Sequence, residues 1–185
     1  MEIQNAQDFQ ALSIARLIMQ AMNYDCCRYF TGPEHTLDDF ERVMTSLVLS
    51  DKSQYSYLNT LVAIDEDGGL CGACVSYDGA RLHELRKAFV DAAKENFGRD
   101  FSSMPDETQA GELYIDSIAV PENCRGKGIA TALLKATVDK ARDMGLPAAG
   151  LLVDTGNPKA EKLYARLGFK TVGDASWGGH AMKHM

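Results

Sequence analysis

A mixed α/β fold follows from three features of the 185-residue sequence. A β-hairpin pattern spans residues 60–77, a strand–helix–strand pattern spans residues 113–153, and amphipathic helical stripes lie between and around them. Hairpins first and β-α-β later argue for one mixed sheet with helices packed on it. At roughly 150 residues per domain, the length predicts a single domain, 1–185.

The elements follow in order. Residues 1–5 suit a short edge strand. Residues 8–22 place Phe9, Leu12, Ala15, Met19 and Met22 on one helical face. A second helix starts at Thr36, which can cap it while Asp39, three residues on, returns the bond. Phe40, Val43, Met44 and Leu47 form its buried stripe. Residues 60–64 and 70–77 read as strands joined by the turn Asp65-Glu66-Asp67-Gly68-Gly69. A helix over residues 80–97 aligns Leu82, Leu85, Phe89, Ala93 and Phe97, and a polar loop, 98–110, follows. Residues 113–120 form a strand ended by Pro121, and residues 126–144 a helix. Then come a strand at 148–153, a helix at 158–167 and a strand at 169–172. The last six residues suit one more strand.

Composition narrows the function classes. The chain is 45% hydrophobic and 24% charged, which argues against disorder. Lys plus Arg is 19 and Asp plus Glu is 26, a net charge of −7. An acidic chain lacks the footprint of a nucleic-acid binder and is repelled by anionic membrane surfaces. A cationic small molecule or a basic peptide suits it better. No stretch approaches the roughly 20 apolar residues of a membrane span. The first ten residues lack the basic-then-apolar order of a signal peptide, so the expected location is cytoplasmic. Five cysteines then imply free thiols.

The chemistry concentrates in Arg125-Gly126-Lys127-Gly128-Ile129-Ala130, between a strand and a helix. That position aims free backbone N–H groups and the positive end of a helix dipole at one point. The two glycines let the backbone approach an anion closely, and Arg125 and Lys127 add charge. The loop therefore suits a phosphate or pyrophosphate. It is not a P-loop, because Gly128 rather than Ser or Thr follows Lys127. It is not a dinucleotide fingerprint, because Thr131 stands where a third glycine or alanine belongs.

The run Leu113-Tyr114-Ile115-Asp116-Ser117-Ile118-Ala119-Val120-Pro121, followed by Arg125-x-x-Gly128-x-Ala130, resembles the acetyl-coenzyme A motif of the GCN5-related N-acetyltransferases (GNAT). A second match is Asn157-Pro158-Lys159-Ala160-Glu161-Lys162-Leu163-Tyr164, ending in Leu167-Gly168-Phe169. Together they cover residues 111–173. The resemblance implies a mostly antiparallel sheet whose strands 113–120 and 148–153 splay into a V. It implies pantetheine pairing with the main chain of Ile118, Ala119 and Val120. It places the pyrophosphate on Arg125, Gly126, Lys127, Gly128, Ile129 and Ala130. Asn157 would bond the pantetheine arm and Tyr164 would face the thioester sulfur. Against the family's minimal pattern, residues 78–110 form a helical insertion, a candidate cover for the acceptor site.

The implied reaction is direct attack of a primary amine on acetyl-coenzyme A in a ternary complex, with no metal. A lysine-like amine near pKa 10.4 lies about 3.4 units, or about 4.6 kcal/mol, from its neutral form at pH 7. A nearby carboxylate would help as general base. With period two and no bulge, Glu112, Tyr114, Asp116 and Ile118 share a strand face. Glu112 is the favoured base by the family's alignment. Asp116 is a substrate contact or second candidate, and structural roles stay open for both. Tyr164 is the implied general acid, though a phenol near pKa 10 protonating a thiolate near 8.5 is uphill by about 2 kcal/mol.

Other features carry less. Cys71 and Cys74 have zinc-knuckle spacing but no second pair, and on a regular strand they face opposite sides. Trp177, in a glycine-rich tail, is a candidate acceptor-pocket wall. The expected acceptor is a small-molecule amine or a protein or peptide amine, and a homodimer stays open. The alternative reading is a coenzyme A-binding sensor or interaction module without catalysis.

Overall fold

The computed structural model describes residues 1–177 and 179–185. Four strands, β1 (Glu2–Asn5), β2 (Thr60–Ile64), β3 (Leu70–Asp78) and β4 (Glu112–Ala119), pair antiparallel in that order. β5 (Ala148–Asp154) joins β4 in parallel. The hairpin of β6 (Gly173–Trp177) and β7 (His180–His184) pairs with β5 through β7. The sheet is thus mixed and mostly antiparallel, as its hairpins and single crossover predict.

Helices cover both faces. α1 (Ala11–Met22), α2 (Tyr24–Thr31), α3 (Leu37–Leu49) and α4 (Leu82–Phe97) bury Ile14, Ile18, Phe30, Phe40 and Phe89 in one cluster. α5 (Ile129–Asp143) and α6 (Pro158–Arg166) pack on the other face, where Leu133, Leu134 and Leu151 are fully buried. The cap of α3 forms as its sequence dictates. Asp39 N donates to Thr36 Oγ1 at 3.2 Å, and Thr36 N donates to Asp39 Oδ2 at 2.8 Å. In α4 all five residues of the apolar stripe are buried.

The opening of the sheet comes from two local irregularities. β4 and β5 pair only from Glu112↔Ala148 to Ile115↔Leu151, and β5 then turns to β7. In β4 the register against β3 steps from Ser76↔Ile115 to Val75↔Ser117, leaving Asp116 as a bulge. Tyr114 packs with Tyr77 and Leu82 on the α4 side, and Asp116 bonds Gln54 there. Ile118 packs with the cluster of Leu133 and Leu134 on the opposite side. The bulge therefore ends the period-two alignment, and Ile118 does not share the face of Asp116.

Other expectations change in detail. Phe9 and Leu12 are 81% and 43% exposed, because a tight turn over Asp8–Gln10 precedes α1 and shifts its phase. α2 has no counterpart in the sequence reading. Asn23, at φ 64°, separates it from α1 and caps it through a bond from Cys26 N. Residues 169–172 are not a strand: Phe169 is buried against the α5–α6 cluster and the strand begins at Gly173. A second bulge, at Cys71 in β3, brings Cys71 and Cys74 into one cluster rather than onto opposite faces. Both thiols are buried and bonded, Cys71 Sγ to Ala63 O and Cys74 Sγ to Thr137 Oγ1.

Candidate active site

The loop before α5 takes its shape from glycine. Gly126 and Gly128 sit at φ 78° and 77°, a left-handed conformation that costs other residues about 1–2 kcal/mol. Where a Cβ would project from either there is open space. Ala132 N is bonded to Gly128 O at 3.0 Å, so the N–H groups of Ile129, Ala130 and Thr131 precede the helix ladder. Arg125 and Lys127 are exposed beside them. Arg125 Nε and Gln20 Nε2 both donate to Val120 O, at 3.3 and 3.1 Å, pinning the end of β4 to the loop and to α1.

Where β4 and β5 part, a cavity of about 220 Å³ opens. Tyr164 on α6 and Asn157 at its start line one side, and Asp116 and Ile118 on β4 the other. Asn157 Oδ1 caps α6 by accepting from Ala160 N at 3.2 Å. Tyr164 packs on Phe169 with ring centroids 6.1 Å apart, and its hydroxyl has no hydrogen bond among the described residues. Burial pushes its phenol up to about 12.

Asp116 has a partner that the sequence reading left in a polar loop. Glu107 lines the same cavity, and Gln54 Nε2 lies 2.9 Å from Asp116 Oδ2 and 3.5 Å from Glu107 Oε1. Gln54 Oε1 is buried with no partner among the described residues, the cost of committing the amide nitrogen to two carboxylates. Arg86 Nη1 donates to Glu107 Oε2 at 3.0 Å, and Tyr77 OH donates to Glu107 Oε1 at 3.4 Å. Burial, and then the charge of Asp116, raise Glu107 to about 7 against the pull of Arg86 and Tyr77. Burial also raises Asp116, offset by bonds from Ser117 and Gln54.

Residues 78–110 build this pair. α4 supplies Arg86, and the loop after it supplies Glu107, tied down by Arg86 bonds to Pro105 O and Asp106. Gly79 makes room for the loop's return, since a Cβ there would stand 2.1 Å from Gln109 O. One signal was readable. Arg86 falls on the apolar stripe of α4, four residues after Leu82 and three before Phe89, and a charge buried there needs an acidic partner.

Glu112 is placed elsewhere. Its carboxylate accepts from Thr108 Oγ1 at 2.5 Å and lies 2.9 Å from His184 Nε2. It crosses β5 over Gly150, where a Cβ would stand 2.0 Å from Glu112 Oε2. It lines a separate hollow at the other end of β5, not the cavity of Tyr164 and Asp116. Trp177 does line that cavity.

A splayed parallel strand pair, a glycine-led helix under it and a tyrosine facing carboxylates across the opening define an acyltransferase. Residues 19–169 match the Acetyltransferase (GNAT) family, and the chain belongs to it. An acetyltransferase of Agrobacterium fabrum is 35% identical over 100 residues, covering 54% of this chain and 72% of that protein. A crystal structure of an acetyltransferase shares 29% identity at a TM-score of 0.80, over 100% of this chain and 97% of that one. An N-acetyltransferase from Staphylococcus aureus Mu50, 24% identical, shares the fold at a TM-score of 0.82, over 100% and 98% of the two chains.

Proposed function

We propose that this enzyme transfers an acetyl group from acetyl-coenzyme A directly to a small primary amine, with both substrates held in the cleft. The observation that carries this reading is the cavity in which Tyr164 faces Asp116 and Glu107.

The donor side fits a pyrophosphate. Gly126 and Gly128 leave open space, Ile129 and Ala130 offer N–H groups, and Arg125 and Lys127 supply two positive charges. Past Ile115 the side of β4 that faces β5 has no strand partner. The main chain of Ile118 and Ala119 there can pair with a pantetheine amide, as can Val120, whose carbonyl already accepts two side-chain bonds. Asn157 uses its oxygen as a cap, which leaves its Nδ2 to donate to the pantetheine arm. When bound, acetyl-coenzyme A supplies the activated acetyl thioester.

The acceptor side belongs to Glu107 and Asp116. A carboxyl group held at about 7 is part-ionised at neutral pH and takes the proton from an amine. Two carboxylates bridged by one amide share their charge, so one can receive a proton without leaving an uncompensated buried acid. The segment 78–110 delivers Glu107 to the cavity, whose volume of about 220 Å³ favours a small acceptor over a protein N-terminus. Tyr164, pushed up to about 12, keeps its proton, because transfer to a thiolate near 8.5 is uphill by about 5 kcal/mol. Its role is to donate a hydrogen bond to the departing sulfur.

Incubation with acetyl-coenzyme A and a panel of small primary amines tests the reading. Free thiol and a matching acetylated amine are expected for at least one acceptor class. A thioester bound but never consumed, with any amine, favours the sensor reading instead.

A further inference from the structure

Beside the cleft lies a wider groove of about 780 Å³ that the transfer itself does not use. The two hollows share a wall, because Trp177 and His180 line both. The groove is aromatic. Phe30 meets Phe101 edge-on with centroids 4.9 Å apart and is tilted against Trp177 at 5.8 Å. Arg99 lies over the ring of Tyr29 at 5.4 Å and over that of Phe101 at 5.5 Å. A guanidinium stacked on rings by its face keeps its in-plane N–H groups for an anion.

Charge is divided between the two hollows. The cleft is lined by Glu107, Asp116 and Asp154 and by no Lys or Arg among the described residues. In the groove Arg99 forms no ion pair among the described residues, whereas Asp100 and His180 have partners. Asp100 accepts from Ser102 N and lies 3.9 Å from Lys94, and His180 Nδ1 lies 3.3 Å from Asp154. A molecule spanning both hollows therefore meets acid at one end and an unpaired cation over aromatic rings at the other.

We propose that this groove is a binding site for the far end of the acceptor, and that this end is an aromatic body carrying a carboxylate. The inference rests on the acyl-transfer reading for what the near end is, an amine, but not for the binding itself. Arg99 pairs with the carboxylate, the accessible rings of Tyr29 and Trp177 take the body above the buried Phe30 and Phe101, and the amine passes Trp177 into the cleft.

Trp177 is the only tryptophan of the chain, so its fluorescence reports the shared wall. The test titrates the protein, without any thioester, with phenylacetate and with phenylacetamide. A saturable change is expected with phenylacetate, with about tenfold weaker binding of the neutral amide. Arg99→Gln removes that preference, and Arg99→Lys keeps part of it. No saturable change with phenylacetate, or equal affinity for acid and amide in the wild-type protein, overturns the proposal. Because no acetyl transfer is measured, failure of the catalytic reading leaves this result standing, and the converse holds as well.

Discussion

Glu107 Oε2 lies 3.0 Å from Arg86 Nη1, and both side chains are buried at the foot of the cleft. The guanidinium lowers the carboxyl group and the neighbouring Asp116 raises it, with burial the largest influence. Arg86 thus positions and tunes Glu107 without lining the cavity itself.

Replacing Arg86 by Met separates these effects. Removing one partner of a buried pair costs about 3–5 kcal/mol, which appears as a lower Tm. The lost positive charge raises Glu107 further, so the acid limb of the rate profile moves above its wild-type position near pH 7. Arg86→Lys keeps the charge and restores part of the shift. Titration of turnover against pH in both variants checks this.

Glu107 also makes stability depend on pH. Its folded value of about 7 lies above the ordinary 4.5, so the folded chain holds the proton more tightly. The contribution is fully present below pH 4.5, falls as pH rises and is gone above about 7. A shift of that size corresponds to about 3 kcal/mol, and Asp116 acts in the same direction. Denaturant unfolding across this range is expected to show stability falling with pH in the wild type and a flatter profile in Glu107→Gln.

In the proposed mechanism, Tyr164→Phe removes the hydrogen-bond donor to the departing sulfur. Turnover is expected to fall about tenfold to a hundredfold with donor KM changed less than about twofold. With the phenol at about 12, no alkaline limb below about pH 10 belongs to Tyr164. Steady-state kinetics with a fixed acceptor decides this, and unchanged turnover removes Tyr164 from the reaction.

Glu112→Gln separates the two carboxylates of β4. Glu112 is bonded to Thr108 and His184 away from the cavity. Its loss is expected to cost about 1–3 kcal/mol of stability with kcat within about twofold of wild type. Asp116→Asn is expected to do the reverse, and thermal melts with turnover assays on both variants check the contrast.

The glycine loop was legible because its geometry is local. Gly126, Gly128, Arg125 and Lys127 are contiguous, and their backbone geometry follows from the glycines themselves. The buried carboxylate cluster of the cleft was not. Gln54, Arg86, Glu107 and Asp116 lie on four separate segments, and packing alone joins them. Glu112 is the favoured base by the family's alignment, and strand period places it on the face of Tyr114 and Asp116. Period cannot show that Gly150 lets Glu112 lean across β5 to His184. Nor does it anticipate the bulge at Asp116, which turns Ile118 to the other face. The strand read at 169–172 failed for a similar reason: Phe169 is a core contact after α6, and burial rather than pairing accounts for its apolar character.

The central claim is that Glu107, paired with Asp116, receives the acceptor's proton. It is tested most directly by the pH dependence of kcat/KM for the best amine in wild type and Glu107→Gln. The wild type is expected to rise through an apparent pKa of about 7, and the variant to lose that limb and at least about a hundredfold in rate. A variant that keeps both the limb and the rate would contradict the account.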